Sequence, residues 1–134
     1  MDELEAIKLK MLREMMRSAK SEESKVDISP LILTDQNFST ELQKNPRLVV
    51  DFWAEWCQPC RMMAPILERL ASRLAGQVRF GNLNVDENPI TAQSYSVMAI
   101  PTLVLFRNGA MVDRVVGLLP EVQLGARIKN VLLN

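Results

Sequence analysis

Cys57 and Cys60 are the only cysteines in the chain, and Gln58 and Pro59 alone separate them. The thiolate form of cysteine attacks disulfides and binds metals. Two thiols one helical turn apart can also close a small disulfide ring. The sequence contains no histidine. That excludes Cys-His and Ser-His-Asp catalysis and removes the commonest zinc ligand. Zinc wants about four ligands, so a metal would need a site shared between two chains, or an iron–sulfur cluster bridging them. Redox chemistry is the better fit. Pro59 lacks an N–H and has a fixed φ, which stiffens the two-residue bridge.

The surrounding residues say where the pair sits. "RLVVDFWA", Arg47 to Ala54, is an apolar run of β-formers broken only by Asp51, the pattern of a buried central strand. From Cys57 to about Leu74 the period is helical, with Met63, Ile66, Leu67, Leu70 and Leu74 on one face. Cys57 therefore opens a helix, where free N–H groups and the positive dipole end stabilise an anion and lower a thiol pKa. Cys60, a turn further on, is expected to be the more buried, resolving thiol. Pro65 should kink the helix and Gly76 should stop it.

Two more residues bear on the pair. A carboxylate inside "LVVDFWA" is expensive to bury. Asp51 is either a structural aspartate bonded to nearby backbone, or an acid beneath the cysteines with a pKa raised by burial. In the second case it accepts the Cys60 proton. Pro101 in "MAIPT" is either an ordinary strand start or a cis-proline.

The remaining elements hold this centre in place. Residues 1 to about 20 read as a helix with Leu4, Ile7, Met11, Leu12, Met15 and Met16 on one broad face. "SAKSEESK", Ser18 to Lys25, reads as a linker. These divide the chain into a helical extension over 1–25 and a domain over 26–134. "PLIL" is a short strand, and Thr34 or Asp35 is expected to cap the helix after it. "VRFGNLNV" is a strand and "NPITAQSY" a short helix with Pro89 in its first turn. "TLVLF" and "AMVDRVVG" are strands joined by Asn108-Gly109, a strong hairpin signal. The last helix runs from about Pro120 to Leu133, with Leu119 at the cap position and Leu124, Ile128, Val131 and Leu132 inward. Strands alternating with helices, then a hairpin and a helix, imply an α/β fold: a mixed central sheet with helices on both faces.

At 134 residues, 48% of them apolar, the chain suits one domain with a full core. Sixteen positive and sixteen negative side chains cancel, which makes neither nucleic acid nor an anionic membrane the expected partner. The opening "MDELEAIKLK" is acidic and has no apolar h-region, so a cytoplasmic setting is the default.

"VVDFWAEWCQPCRMMAPILERLA", "NLNVDENP", "AIPTLVLFRNG" and "VVGLLP" together resemble the thioredoxin family, in order and at family spacing. The resemblance covers roughly residues 27 to 134. It implies a thioredoxin fold, with Cys57 as attacking nucleophile and Cys60 as resolving cysteine. It also implies Asp51 as the buried acid/base group and Pro101 as a cis-proline against the disulfide. Trp56, Pro59, Ile100, Pro101 and Gly117 match the docking surface around the nucleophile, where Gln58 also stands as a substrate-binding residue, Trp53 matches its support and Pro65 the family's helix kink. No bound cofactor is implied beyond a reversible Cys57–Cys60 disulfide. The implied partners are a thioredoxin reductase of unspecified type and disulfide-containing target proteins, met by a monomer.

The chain departs from the family pattern at Gln58, where glycine is usual, and at Asn82, where many members carry a lysine near the buried aspartate. "DELEAI" is similar to the opening of some archaeal proteins. Two other functions share the motif: a redox-inert binding or chaperone module, and an isomerase-like oxidant. Such oxidants usually carry histidine before the second cysteine. Pro59 matches the reducing branch instead.

Overall fold

The apolar run Arg47–Trp53 forms β2 of a five-stranded sheet in a computed structural model that describes residues 2–23 and 28–134. The other strands are β1 (Leu31–Leu33), β3 (Arg79–Asn84), β4 (Thr102–Arg107) and β5 (Ala110–Val116). Their order is β1-β3-β2-β4-β5. β1 and β2 both run parallel to β3, and the β2–β4 and β4–β5 pairs are antiparallel. β2 and β4 lie in the interior of the sheet, and each buries five consecutive residues. Burial on both faces is what a continuous apolar run demands.

Alternation along these strands sends neighbours to opposite faces. On one face Val49, Leu103 and Leu105 pack against α3 (Gln58–Arg73) and α5 (Glu121–Leu132), through Met63, Leu67, Leu70, Leu124 and Ile128. On the other, Leu48, Val50, Phe52, Val104 and Phe106 meet Phe38 of α2 (Phe38–Lys44) and Ala92 of α4 (Pro89–Ser94). Phe38, Tyr95 and Phe106 form a ring cluster with centroids 5.2 to 5.8 Å apart. This is the expected sheet with helices on both faces.

Gly125 lies where α5 crosses α3. A Cβ there would stand 3.1 Å from Leu70 Cδ2, so the close crossing offsets glycine's poor helix propensity. Asn108 and Gly109, at φ 51° and 84°, make the tight β4–β5 turn.

Several local expectations change. The helix after β1 starts at Phe38, with Asn37 rather than Thr34 or Asp35 at the cap position. Thr34 and Asn37 instead exchange hydrogen bonds: Asn37 N donates to Thr34 Oγ1 at 3.1 Å and Thr34 N to Asn37 Oδ1 at 2.7 Å. This closed turn uses up the polar atoms that a cap would need. Asp35 serves another helix, accepting from Ile90 N (3.3 Å) and Thr91 N (2.8 Å) at the start of α4. Pro120, not Leu119, occupies the cap position of α5. α3 runs on through Pro65 to Arg73, and Gly76 follows at φ +80°.

α1 spans Glu3–Glu23, so the helix continues through most of the segment read as a linker. Ala19, Lys20, Glu22 and Glu23 are good helix formers, and absence of apolar residues does not end a helix. Asp2 caps it, its Oδ1 accepting from Glu5 N at 2.8 Å. Leu4, Ile7, Met11 and Leu12 are each more than half exposed. The end of the expected linker, Ser24 and Lys25, and the expected boundary at 25/26 lie outside the described residues, as do the side chains of Met15 and Met16. Among the described residues no helix is long and apolar enough to cross a membrane.

Candidate redox site

β2 delivers the chain from the sheet into the first turn of α3, and Cys57 stands at that junction as the N-cap of the helix. Its φ and ψ, −85° and 108°, are extended, the usual state of a cap residue. Its sulfur occupies the place of a capping oxygen: Cys60 N donates to Cys57 Sγ at 3.2 Å. The first-turn N–H groups of a helix have no partner inside the helix. Here one of them meets the Cys57 sulfur, in a direction that favours negative charge there. No acidic residue sits in that first turn to oppose it.

Cys57 and Cys60 are joined as a disulfide, with Cα atoms 5.3 Å apart. Cys60 is not the more buried of the two, since both are nearly inaccessible, at 3% and 4% exposed. Closing the ring ties both sulfurs into one small cluster with Ala54, against which Trp53, Val85 and Ile100 pack. Position at the helix end, rather than burial, distinguishes the two thiols.

The Ile100–Pro101 bond is cis. Pro101 is buried, and its carbonyl accepts from Gly117 N at 2.9 Å. Thr102 Oγ1 donates to Ala99 O at 2.6 Å. The first bond ties the segment before β4 to the end of β5, the second closes the turn around the cis bond, and Ile100 packs against the cysteines.

Beside this cluster lies an apolar groove. Trp56 and Ile100 line this shallow groove of about 280 Å³ with Val85, Val97, Met98 and Ala99. Trp56 is 69% exposed and Met98 92%. Gln58 and Pro59 are exposed on the first turn of α3, and Gly117 is half-buried. Pro65 is exposed further along α3, and lies away from the groove.

Two groove features are absent from the expected set. Met98 had no pattern to mark it. Asp86 accepts a hydrogen bond from Trp56 Nε1 at 2.9 Å. It is set there by an Asx turn, in which Asn84 Oδ1 accepts from Asp86 N and Glu87 N. The "NVDENP" segment carried that turn chemistry in its Asn and Asp residues, but not the partner.

Asp51 lies on the α3 face of β2, two residues from Val49 and in register with Asn82 of β3. It is 5% exposed, and its Oδ1 has no hydrogen-bond partner. Burial pushes its carboxyl up to about 7. Ala64, one turn after Cys60, lines the same cavity as Asp51. Among the described residues no cluster of three or more His, Cys, Asp or Glu side chains is placed to hold a metal ion.

A cysteine pair closed across the first turn of a helix at the end of a central strand, with Ile100 of a cis Ile100–Pro101 bond packed against it, belongs to the class of thiol–disulfide oxidoreductases. The family model described as Thioredoxin matches residues 29–130. A thioredoxin of Alicyclobacillus acidocaldarius is 48% identical over 102 residues, covering 76% of this chain and 97% of that protein. One from Staphylococcus saprophyticus is 48% identical over 97 residues, covering 72% and 92%. The solved structure of a point mutant of a thioredoxin from Halobacterium salinarum is 35% identical, with a TM-score of 0.73 over 78% of this chain and 92% of its own. The chain belongs to the thioredoxin family. It is a protein-disulfide reductase whose redox group is the Cys57–Cys60 disulfide.

Proposed function

We propose that Cys57 is the attacking thiol, Cys60 the resolving thiol and Asp51 the acid/base group between them. The Cys57 thiolate attacks one sulfur of a target disulfide, forms a mixed disulfide and expels the other target sulfur as a thiolate. Cys60 then loses its proton to Asp51 and attacks Cys57 Sγ. The second target thiol leaves, and the Cys57–Cys60 disulfide holds the oxidising equivalents. The observation that carries this order is the N–H of Cys60 donated to Cys57 Sγ at the helix N-terminus, which favours the thiolate at Cys57.

Trp56, Gln58, Pro59, Ile100, Pro101 and Gly117 form the docking surface, with Trp53 and Pro65 in support. An exposed apolar groove beside the disulfide suits an extended segment of a target. A thioredoxin reductase returns the disulfide to the dithiol. The chain works as a cytoplasmic monomer, its domain over 26–134 and its helical extension over 1–25. Trapping with Cys60→Ser tests the order of attack. Mixed disulfides should accumulate at Cys57, and recovery of none would sink the mechanism. Insulin reduction tests the activity itself, since a redox-inert binding module would not accelerate it.

A further inference from the structure

Beneath α3 lies a half-open cavity of about 330 Å³. Ala64, Leu67 and Phe80 give it apolar walls, and Asp51, Asn82 and Glu68 supply polar groups. Among the described residues both charged side chains on its lining are acidic, and no lysine or arginine reaches it. Asp51 lines it while only 5% exposed, and its Oδ1, sealed from the cavity, has no hydrogen-bond partner. Buried polar atoms are paired in nearly all native structures, and an unpaired one is costly. Asn82 is its in-register neighbour on β3 and does not satisfy it. The volume falls in the lower range of small-molecule sites, which combine apolar walls with few polar groups.

We infer that this cavity binds a small organic cation, an ammonium or amidinium group on a compact apolar body, with its N–H groups donated to Asp51. A neutral ligand could hydrogen-bond the Asp51 carboxyl but would gain nothing from two carboxylates. An anion would be repelled by both. A single water could pair with Asp51, yet it would leave the apolar walls unfilled.

Because Asp51 titrates near pH 7, affinity for a cation should rise as pH rises through that value. The other polar side chains lining the cavity are Asn82 from β3, Glu68 from α3 and Ser29 from the segment before β1. Of these only Glu68 carries an ionisable side chain, and its own variant separates the two carboxylates.

The test uses the oxidised full chain and no turnover, so it stands apart from any role of Asp51 in thiol exchange. Amide NMR spectra are recorded while adding benzylammonium, benzyl alcohol or benzoate at pH 6, 7 and 8. Saturable shifts at Ala64, Leu67 and Asn82 are expected with benzylammonium. At pH 8 it should bind about tenfold tighter than benzyl alcohol, the scale of one charge-assisted hydrogen bond. That preference should shrink at pH 6 and vanish in Asp51→Asn, while Glu68→Gln keeps most of it. Asn82→Lys, which brings an amine of the chain itself to the site, should weaken benzylammonium more than benzyl alcohol. Equal affinity for cation and alcohol, a preference that survives Asp51→Asn, or no saturable shift would each overturn the inference.

Discussion

Trp56 Nε1 donates to Asp86 Oδ2 at 2.9 Å, joining the residue before Cys57 to the loop after β3. The indole is 69% exposed, so little packing fixes its orientation. The hydrogen bond sets the ring as one wall of the groove. Asp86→Ala should leave the fold and the disulfide intact and let the ring swing. We expect KM for insulin to rise about two- to fivefold, the scale of one exposed hydrogen bond. Trp56 fluorescence anisotropy should fall in parallel. An unchanged KM together with unchanged anisotropy would remove Asp86 from the docking surface.

Asp51 makes the protein less stable as pH rises. Its folded value, about 7, lies above the ordinary 3.8, so between these values the native state binds more protons than the unfolded one. The benefit of its protonated form is complete below pH 4 and is lost as pH rises through about 7. The shift corresponds to an order-of-magnitude figure of about 4 kcal/mol at pH 8, an upper value. Asp51→Asn should therefore stabilise strongly at pH 8 and hardly at pH 4 in urea unfolding. It should also slow the release of reduced target by blocking proton transfer from Cys60. Equal stabilisation at both pH values would contradict the linkage.

Asp35 caps a helix it does not belong to. Its carboxylate accepts from Ile90 N and Thr91 N, while its own N–H donates to Asn88 Oδ1 at 3.0 Å. It thereby fastens the β1–α2 turn to the start of α4. Asp35→Ala leaves two first-turn donors unmet and should lower Tm by a few degrees, the scale of a lost N-cap. Asp35→Asn, which keeps one acceptor oxygen, should recover part of the loss. A Tm equal to the parent's in the alanine variant would show that water replaces the cap.

Gln58 is neutral and exposed on the first turn of α3. Gln58→Gly should leave the reduction potential unchanged, because no charge near Cys57 is altered. Reductase turnover should rise, because a side chain is removed from the surface over the disulfide. A shifted potential with constant turnover would assign Gln58 to tuning the thiol rather than to access.

Much of this protein was legible along the chain. Continuous apolar runs mark strands buried on both faces, helical periods mark α3 and α5, and Asn108-Gly109 marks the hairpin, because each depends on residues near in sequence. The cysteine spacing and its place at a helix start are local in the same way. Contacts between distant segments were not legible. Asp35 is an acceptable cap by type, but which helix it caps depends on β1 lying beside β3, which brings residue 35 to residue 91. Asp86 meets Trp56 thirty residues away for the same kind of reason. Relative burial of the two cysteines also needed the assembled fold, since Trp53, Val85 and Ile100 cover both from three separate segments. Residue type and period act locally, so the chain order alone specified the thiol chemistry and the sheet with its flanking helices. That Asp51 is buried without a partner beside a cavity emerges only on folding, because it depends on what β3 and α3 fail to place next to it.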